Sequence, residues 1–385
     1  MGKNSTIMAQ MLQVISRYDF KKAVDTYKTD KFSKGFTCWH QFSSLLFGQL
    51  SSLDSLRSIT NNLAARQNSL YHLGLKPVKR STLSYANNNR NYQVYRDLFF
   101  TILSKVKGKA PRHSFRLPNK IYSIDSTTID LCLSVYDWAQ FRKTKGGIKL
   151  HTKLNHDGYL PEIIHVSNAR DNDQKHAHRF TFQEGDIVLL DRGFENYNQY
   201  AKYCDEKIYF VTRLQTNTNY KVVDSNDVSE HKNITSDQVI TLTGFYSKKK
   251  CPYNLRRVRS IDPDTGKAIV ILTNIFHLPA DTIAALYKER WQIEIFFKTI
   301  KQNLKIKSFL GTSRNAVLTQ IWVAMIAYLL LAYLKFLSTY DWTIHKLYRV
   351  LSRILFMKKD LWIWLNKPFE PDQIHRSDTL QLELL

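Results

Sequence analysis

Apolar positions in the first hundred residues recur at helical spacing. Trp39 to Leu50 (WHQFSSLLFGQL) and Leu53 to Arg66 (LDSLRSITNNLAAR) set their large apolar side chains three and four residues apart, as in a helix with one buried face. Gly74 and Pro77 interrupt the pattern between Leu73 and Lys79, and Ser81 is placed to cap a third helix through Leu83, Tyr85 and Ala86. A short helix opened by Lys79, Arg80 and Ser81 after a glycine turn has the look of the second helix of a helix-turn-helix, a pattern that any basic helical bundle can also produce. Lys105 to Pro118 holds two Pro, one Gly and many charges, which predicts a linker.

Beyond the linker the period changes. Ile121 to Leu131 (IYSIDSTTIDL) is rich in β-branched residues, and Ile148 to Leu154 alternates apolar with polar, so both read as strands. Asp157-Gly158 is a hairpin signal, and Leu160 to Val166 returns as the next strand. A short helix is expected over Asp173–Phe182, then the fully apolar strand Ile187–Leu190. Further strands are expected at Ile208–Leu214, Val239–Tyr246 and Ala268–Asn274, and helices at Pro279–Lys305 and Ala316–Leu337. Ile321 to Leu334 is nearly all apolar but short of the ~20 residues that span a bilayer, which predicts a buried core helix. Three antiparallel strands, a helix and a fourth strand open a ribonuclease-H-like core. The expected fold class is therefore α/β: such a core with a β-rich insertion, preceded by an all-α segment.

Composition sharpens this picture. The 385 residues include 56 Lys or Arg against 33 Asp or Glu, a net charge of +23, and 43% are hydrophobic, so the chain can build a large core and is not of disordered type. Residues 1–110 carry 17 basic and 5 acidic residues, net +12, so the amino-terminal third is the more basic per residue. Nucleic acid is the natural partner of that charge. Four scattered Cys without a CxxC pair argue against a disulfide framework or a zinc site and suit a reducing cytoplasm; the amino terminus lacks a signal-peptide pattern.

Three carboxylates stand out. Asp125 lies midway along the first strand, and Asp191 follows the apolar strand Ile187–Leu190 at its carboxyl end. Tyr287, Arg290, Glu294 and Lys301 are spaced by 3, 4 and 7 residues, which at about 100° per residue puts them on one helix face. Leu286, Ile293, Phe297, Ile300 and Leu304 form an apolar stripe beside it. On spacing alone, a solvated face with an incidental ion pair fits as well. Carboxylates on two strands and one helix can converge, and cleavage of a phosphodiester with two divalent ions needs such a set to hold the ions about 3.5–4 Å apart. All-oxygen ligands suit Mg²⁺, with Mn²⁺ as a substitute.

Tyr287-x2-Arg290-x3-Glu294-x6-Lys301 resembles the YREK signature of the IS4-family DDE transposases, whose catalytic domain is ribonuclease-H-like. Phe36-Thr37-Cys38-Trp39 and Leu45-Leu46-Phe47-Gly48-Gln49-Leu50 are similar to the leading domain of such proteins. The resemblance implies that Asp125, Asp191 and Glu294 are the catalytic, metal-holding triad, and that Tyr287, Arg290 and Lys301 contact DNA; from the basic charge and the helix start, Lys79, Arg80 and Ser81 are expected to grip DNA from the helical segment. It implies a helical DNA-binding domain (1–110) and a catalytic domain (111–385) with a β-rich insertion at about 200–277. It further implies double-stranded DNA partners (transposon ends and target), a homodimer in the synaptic complex, no membrane, and action on the bacterial nucleoid in the cytoplasm. Some relatives stack a flipped base on a Trp of the insertion; residues 192–290 here have none, leaving Tyr209, Phe210, Phe245, Tyr246 or Trp291. Two alternatives remain: a nuclease or resolvase of the same fold that cuts without joining, and a silent DNA-binding repressor.

Other residues take plainer readings. Asp130 has the opposite strand parity to Asp125 and should face away. His151, His156 and His165 are expected on the surface, and Asp171 and Asp173 as helix caps. The basic residues of Phe141–Lys149 are expected to be solvated, and Trp362 and Trp364 packed in the core.

Overall fold

The computed structural model describes residues 5–132, 134–142, 145–169, 179–263, 265–304 and 309–370. Its amino-terminal segment is built from α1 (Ile7–Leu12), α2 (Arg17–Thr26), α3 (Cys38–Leu50), α4 (Leu56–Ala64), α5 (Arg80–Asn89) and α6 (Gln93–Lys107). Lys79 is already extended (φ −74°, ψ 143°), so α5 starts at Arg80 and Ser81 lies in its first turn instead of capping it. The element before α5 is a 3₁₀ turn, Gln67–Leu73, six residues upstream. That spacing differs from the three- or four-residue turn of a helix-turn-helix.

The helices do not enclose a core of their own. One apolar cluster runs from Ile7 and Phe42 through Phe99 into α11 (Arg314–Leu337), α12 (Ile344–Ile354) and α13 (Leu361–Asn366), and reaches Leu150 and Leu154 of the sheet. Helix α11 is long and apolar enough to cross a membrane, but almost all of it is buried inside the protein. It is a core helix, as the length of its apolar run predicts. Trp364 packs on Trp342 at 5.6 Å between ring centres, whereas Trp362 is exposed, so only one of the two Trp belongs to the core.

The strands form one ten-stranded sheet: β1 (Ile121–Leu131), β2 (Gln140–Arg142), β3 (Lys145–Asn155), β4 (Leu160–Asn168), β5 (Ile187–Leu190), β6 (Tyr209–Arg213), β7 (Tyr220–Asn226), β8 (Ile234–Leu242), β9 (Asn254–Ile261) and β10 (Ala268–Thr273). Their order is β2-β3-β1-β5-β6-β10-β9-β8-β7, with β4 paired to the other side of β3. The β1–β3 and β3–β4 pairs are antiparallel, while β1–β5 and β5–β6 are parallel. Helices α7 (Tyr197–Asp205) and α8 (Phe245–Lys250) complete this half, followed by α9 (Ala280–Glu289) and α10 (Gln292–Lys298). The strand expected over 239–246 ends at Leu242, because Phe245–Lys250 winds into α8. Asp171 and Asp173, and most of the helix expected around them, lie outside the described residues.

Alternation along the strands sorts the side chains onto two faces. Ile121, Ile187, Leu189 and Val211 pack with Ile283 and Leu286 of α9. Ile124, Val188, Leu190 and Phe210 pack with Tyr200 and Tyr203 of α7 on the opposite face. The odd-numbered positions of β1, β5 and β6 thus look toward α9 and α10.

Candidate active site

Asp125 shares parity with Ile121, so it points to the α9–α10 side; Asp130, of opposite parity, is exposed. Ile124 pairs with Leu190 across the parallel β1–β5 ladder, so the next residues, Asp125 and Asp191, stand side by side at the carboxyl end of β5. Asp191 is still extended (φ −76°, ψ 159°), which keeps the alternation and turns it to the face of Leu189. Leu189 pairs with Val211, and two steps on, Arg213 at the end of β6 comes level with Asp191. This is the position, outside the carboxyl ends of parallel strands, where α/β sheets place their ligands.

The element carrying Glu294 is not the single helix that the spacing predicts. Helix α9 stops at Glu289, Arg290 and Trp291 form a turn, α10 runs from Gln292 to Lys298, and Thr299–Asn303 widens into a π turn. Tight bonds from Ile293 N–H to Arg290 O (3.2 Å) and from Glu294 N–H to Trp291 O (3.0 Å) mark the break. Tyr287, Arg290 and Glu294 still come together. Arg290 Nη2 donates to Glu294 Oε1 at 2.9 Å, and its guanidinium lies 5.8 Å from the Tyr287 ring centre. Lys301 sits half-buried in the π turn, where a rotation of 100° per residue no longer holds. The apolar stripe is as expected: Leu286, Ile293, Phe297, Ile300 and Leu304 are all buried.

These side chains share one electrostatic field. Burial pushes the Asp125 carboxyl up from its ordinary 3.8 to about 7, and the charges of Asp191 and Glu294 add to the rise. The Ser126 N–H, at 2.7 Å, and Arg290 pull it back. Burial lowers Arg290, yet Glu294 and Asp191 more than offset that and leave the guanidinium raised. Tyr287 is raised, chiefly by burial, and feels Arg290, Asp191 and Arg213. Arg213 is the residue that the sequence reading missed; its place at the end of an expected strand, beside another that ends on Asp191, was the available signal. Lys79, Arg80 and Ser81 are exposed at the start of α5.

The donor set is all oxygen and under-neutralised, which fits a hard divalent cation. Among the described residues no three ligand-type side chains are gathered to hold one ion, and Glu294 is paired with Arg290. Arg290 Nε is buried and has no acceptor.

The histidines differ from expectation. His151 and His156 are buried, not on the surface, because the β3–β4 hairpin is covered on both faces; His165 is half-buried and stacked on His151. Of the aromatic candidates, Phe210 is stacked on Tyr200 in the core at 4.6 Å, and Tyr209 is half-buried against His277. Phe245, Tyr246 and Trp291 are exposed.

A family described as "Transposase DDE domain" matches residues 116–330, more than half the chain and the whole of the span that holds Asp125, Asp191 and Glu294. This chain belongs to the DDE transposase family. Members of the family cleave DNA and transfer its strands with divalent metal ions. Residues 3–76 match a second family, described as "Domain of unknown function (DUF4372)". A putative transposase of Sinorhizobium fredii is 33% identical over 290 residues, 74% of this chain and 80% of the relative. A probable transposase for insertion sequence element IS5377 of Geobacillus stearothermophilus is 26% identical over 360 residues, 93% and 91% of the two chains. Both relatives are named as transposases, consistent with an IS4-type DDE transposase. A piggyBac transposase synaptic complex with hairpin DNA overlaps with a TM-score of 0.46 at 11% identity, covering 97% of this chain and 82% of that one. The fold description rests on the strand order instead.

Proposed function

We propose that this transposase works through one site made of Asp125, Asp191 and Glu294 on a ribonuclease-H-like core, with β4-β3-β1-β5-β6 as its five strands. The observation that carries the reading is that the β1–β5 register sets Asp125 beside Asp191 on the sheet face covered by α9 and α10, where Arg290 bonds Glu294 at 2.9 Å, although Asp125 and Glu294 are 169 residues apart in sequence. Mg²⁺ is the resident metal and Mn²⁺ substitutes; when bound it supplies Lewis-acid activation of water and of the 3′-hydroxyl. The chain's own part is positional. The three carboxylates orient the metal, Tyr287 offers a hydroxyl, and Arg290 and Lys301 neutralise phosphate oxygens. The buried Nε of Arg290 is a donor left for such an oxygen.

Lys79, Arg80 and Ser81 grip the terminal DNA, largely through phosphates, from the basic helical segment of residues 1–110. The catalytic segment is 111–385, with the insertion at about 200–277. The enzyme acts on double-stranded insertion-sequence ends and target DNA, pairs two ends as a homodimer, and does so on the nucleoid in the cytoplasm. Purified protein, Mg²⁺ and DNA carrying the terminal sequences test this. Joined products that vanish in Asp125→Asn, Asp191→Asn and Glu294→Gln support it. Nicks without joining point to a nuclease, and binding without cleavage to a repressor.

A further inference from the structure

Behind the carboxylates lies a polar chain, buried at Ser123 and His156 and half-buried at Tyr159 and Glu289, that the reaction itself does not use. Ser123 stands two residues before Asp125 on the same side of β1 and is fully buried. Its Oγ is 2.7 Å from His156 Nε2, and the His156 backbone N–H donates to Ile121 O at 2.9 Å, so the residue is fastened to β1 once through its ring and once through its main chain. The other ring nitrogen, Nδ1, is buried without a hydrogen-bond partner and faces Glu289 Oε1 at 3.9 Å. Glu289 Oε1 in turn accepts from the Tyr159 hydroxyl at 2.7 Å. Tyr159 is fixed as well: the Tyr328 hydroxyl donates to its carbonyl oxygen at 2.9 Å, and its ring meets His156 edge-on at 5.6 Å.

Two features of this chain point to the site. Glu289 is the last residue of α9, and the next residue, Arg290, opens the break that leads to Glu294. Tyr159 holds a left-handed backbone (φ +54°), a conformation that is uncommon for a bulky side chain and is retained where the surroundings enforce it. The β3–β4 turn thus reaches under the break and ties both of its neighbours: β1 through Ser123 and α9 through Glu289. Those are the elements that carry Asp125 on one side and Arg290 and Glu294 on the other.

We propose that His156, Tyr159 and Glu289 are positioning residues of the transposase site, which set the span between Asp125 and Glu294 and so the tightness with which the carboxylates take a divalent ion. This rests on the reading that Asp125 and Glu294 belong to one site. Supporting groups of this kind, one layer behind metal ligands, change metal affinity or activity by roughly 10–100-fold when removed.

The test uses the full chain with Tyr159→Phe, Glu289→Ala, Glu289→Gln and Asp125→Asn. Free Mn²⁺ is titrated by electron paramagnetic resonance in the absence of DNA, alongside urea unfolding and single-turnover cleavage across Mn²⁺ concentrations. Tyr159→Phe and Glu289→Ala should weaken Mn²⁺ binding about 10-fold or more while remaining folded at the temperature of the assay, and high Mn²⁺ should recover most of the cleavage rate. Glu289→Gln keeps an acceptor oxygen for the Tyr159 hydroxyl and should bind Mn²⁺ within about threefold of the parent. Parent-like Mn²⁺ binding in both Tyr159→Phe and Glu289→Ala overturns the proposal. So does a loss that tracks only the unfolded fraction, which would make the chain a packing element. Retained Mn²⁺ binding and cleavage in Asp125→Asn would instead remove the site reading beneath it.

Discussion

Replacing Asp125 with Asn should stabilise the metal-free protein, and the gain should grow with pH. Burial and the charges of Asp191 and Glu294 lift the Asp125 carboxyl from 3.8 to about 7 in the folded chain. In the unfolded chain it ionises near its ordinary value. Between the two the native state holds one proton more than the unfolded state, so the parent loses stability as pH rises, by about 1.4 kcal/mol per pH unit. A displacement of about three pH units sums to about 4 kcal/mol by pH 7–8, an upper figure because relaxation around the site reduces it. The amide keeps the volume and never carries the charge. Urea unfolding in EDTA should therefore show parent and Asp125→Asn nearly equal at pH 4, with the variant ahead by about 1–2 kcal/mol at pH 5 and about 2–4 kcal/mol at pH 8. Added Mg²⁺ should stabilise the parent at pH 8 and leave the variant almost unmoved. A variant less stable than the parent at pH 8, or a difference that ignores pH, would refute the claim that Asp125 is a buried carboxylate held at a cost beside Asp191 and Glu294.

Three further outcomes follow from the same geometry. Arg290 is buried and paired with Glu294, so Arg290→Ala should cost about 1–3 kcal/mol in urea unfolding as well as cleavage; Lys301→Ala should lower cleavage at a cost of about 0.5 kcal/mol or less, and equal stability losses would place Lys301 in the core network. In the full-length chain without metal, Lys79→Ala with Arg80→Ala should reduce the slope of log affinity against log salt for terminal DNA by about 1.8 if both meet phosphates; an unchanged slope removes them from the DNA surface. Burial, followed by the influence of His113, pushes His156 down to about 3, so its neutral form favours the native state above pH 6.5 and stability is lost as pH falls from there toward 3, by about 1.4 kcal/mol per unit. His156→Asn should flatten that acid slope relative to the parent, and an identical slope would mean that the ring is not buried neutral.

Much of the sheet was legible because its central strands are apolar or alternate cleanly. Ile187–Leu190 has the bounds that the apolar run predicts, and β1 agrees residue for residue. The elements that were missed do not advertise burial. β7 is an edge strand exposed over nearly its whole length, and β9 (NLRRVRSI) reads as a basic loop until Arg256 is seen buried against Asp237 at 2.7 Å. Nor could local patterning reveal that the amino-terminal helices close their core against α11, α12 and α13, more than 200 residues later. That shared core is why the DNA-binding test above uses the whole chain instead of a 1–110 fragment, which would expose the faces of α3 and α6 that α11 covers.

The site divides along the same line. Period-two alternation and the parallel register are short-range rules, and together they put Asp125, Asp191 and Arg213 on one face with no knowledge of the partner helix. The helix side follows no such rule. A constant 100° per residue places Tyr287, Arg290, Glu294 and Lys301 in one row, yet the chain breaks at Arg290 and widens at Thr299, so that row is not one continuous helix face, although Arg290 still bonds Glu294 and lies over Tyr287. Beside that break lies a contact from elsewhere in the sequence: Glu289 accepts from Tyr159 in a hairpin 130 residues earlier. A motif spacing can therefore name the residues of a site while the angle between them is set by a tether that the motif does not contain. In this chain the tether runs through His156 to the strand that carries Asp125. The two halves of the carboxylate cluster are thereby referenced to each other through the protein interior before any metal or DNA arrives.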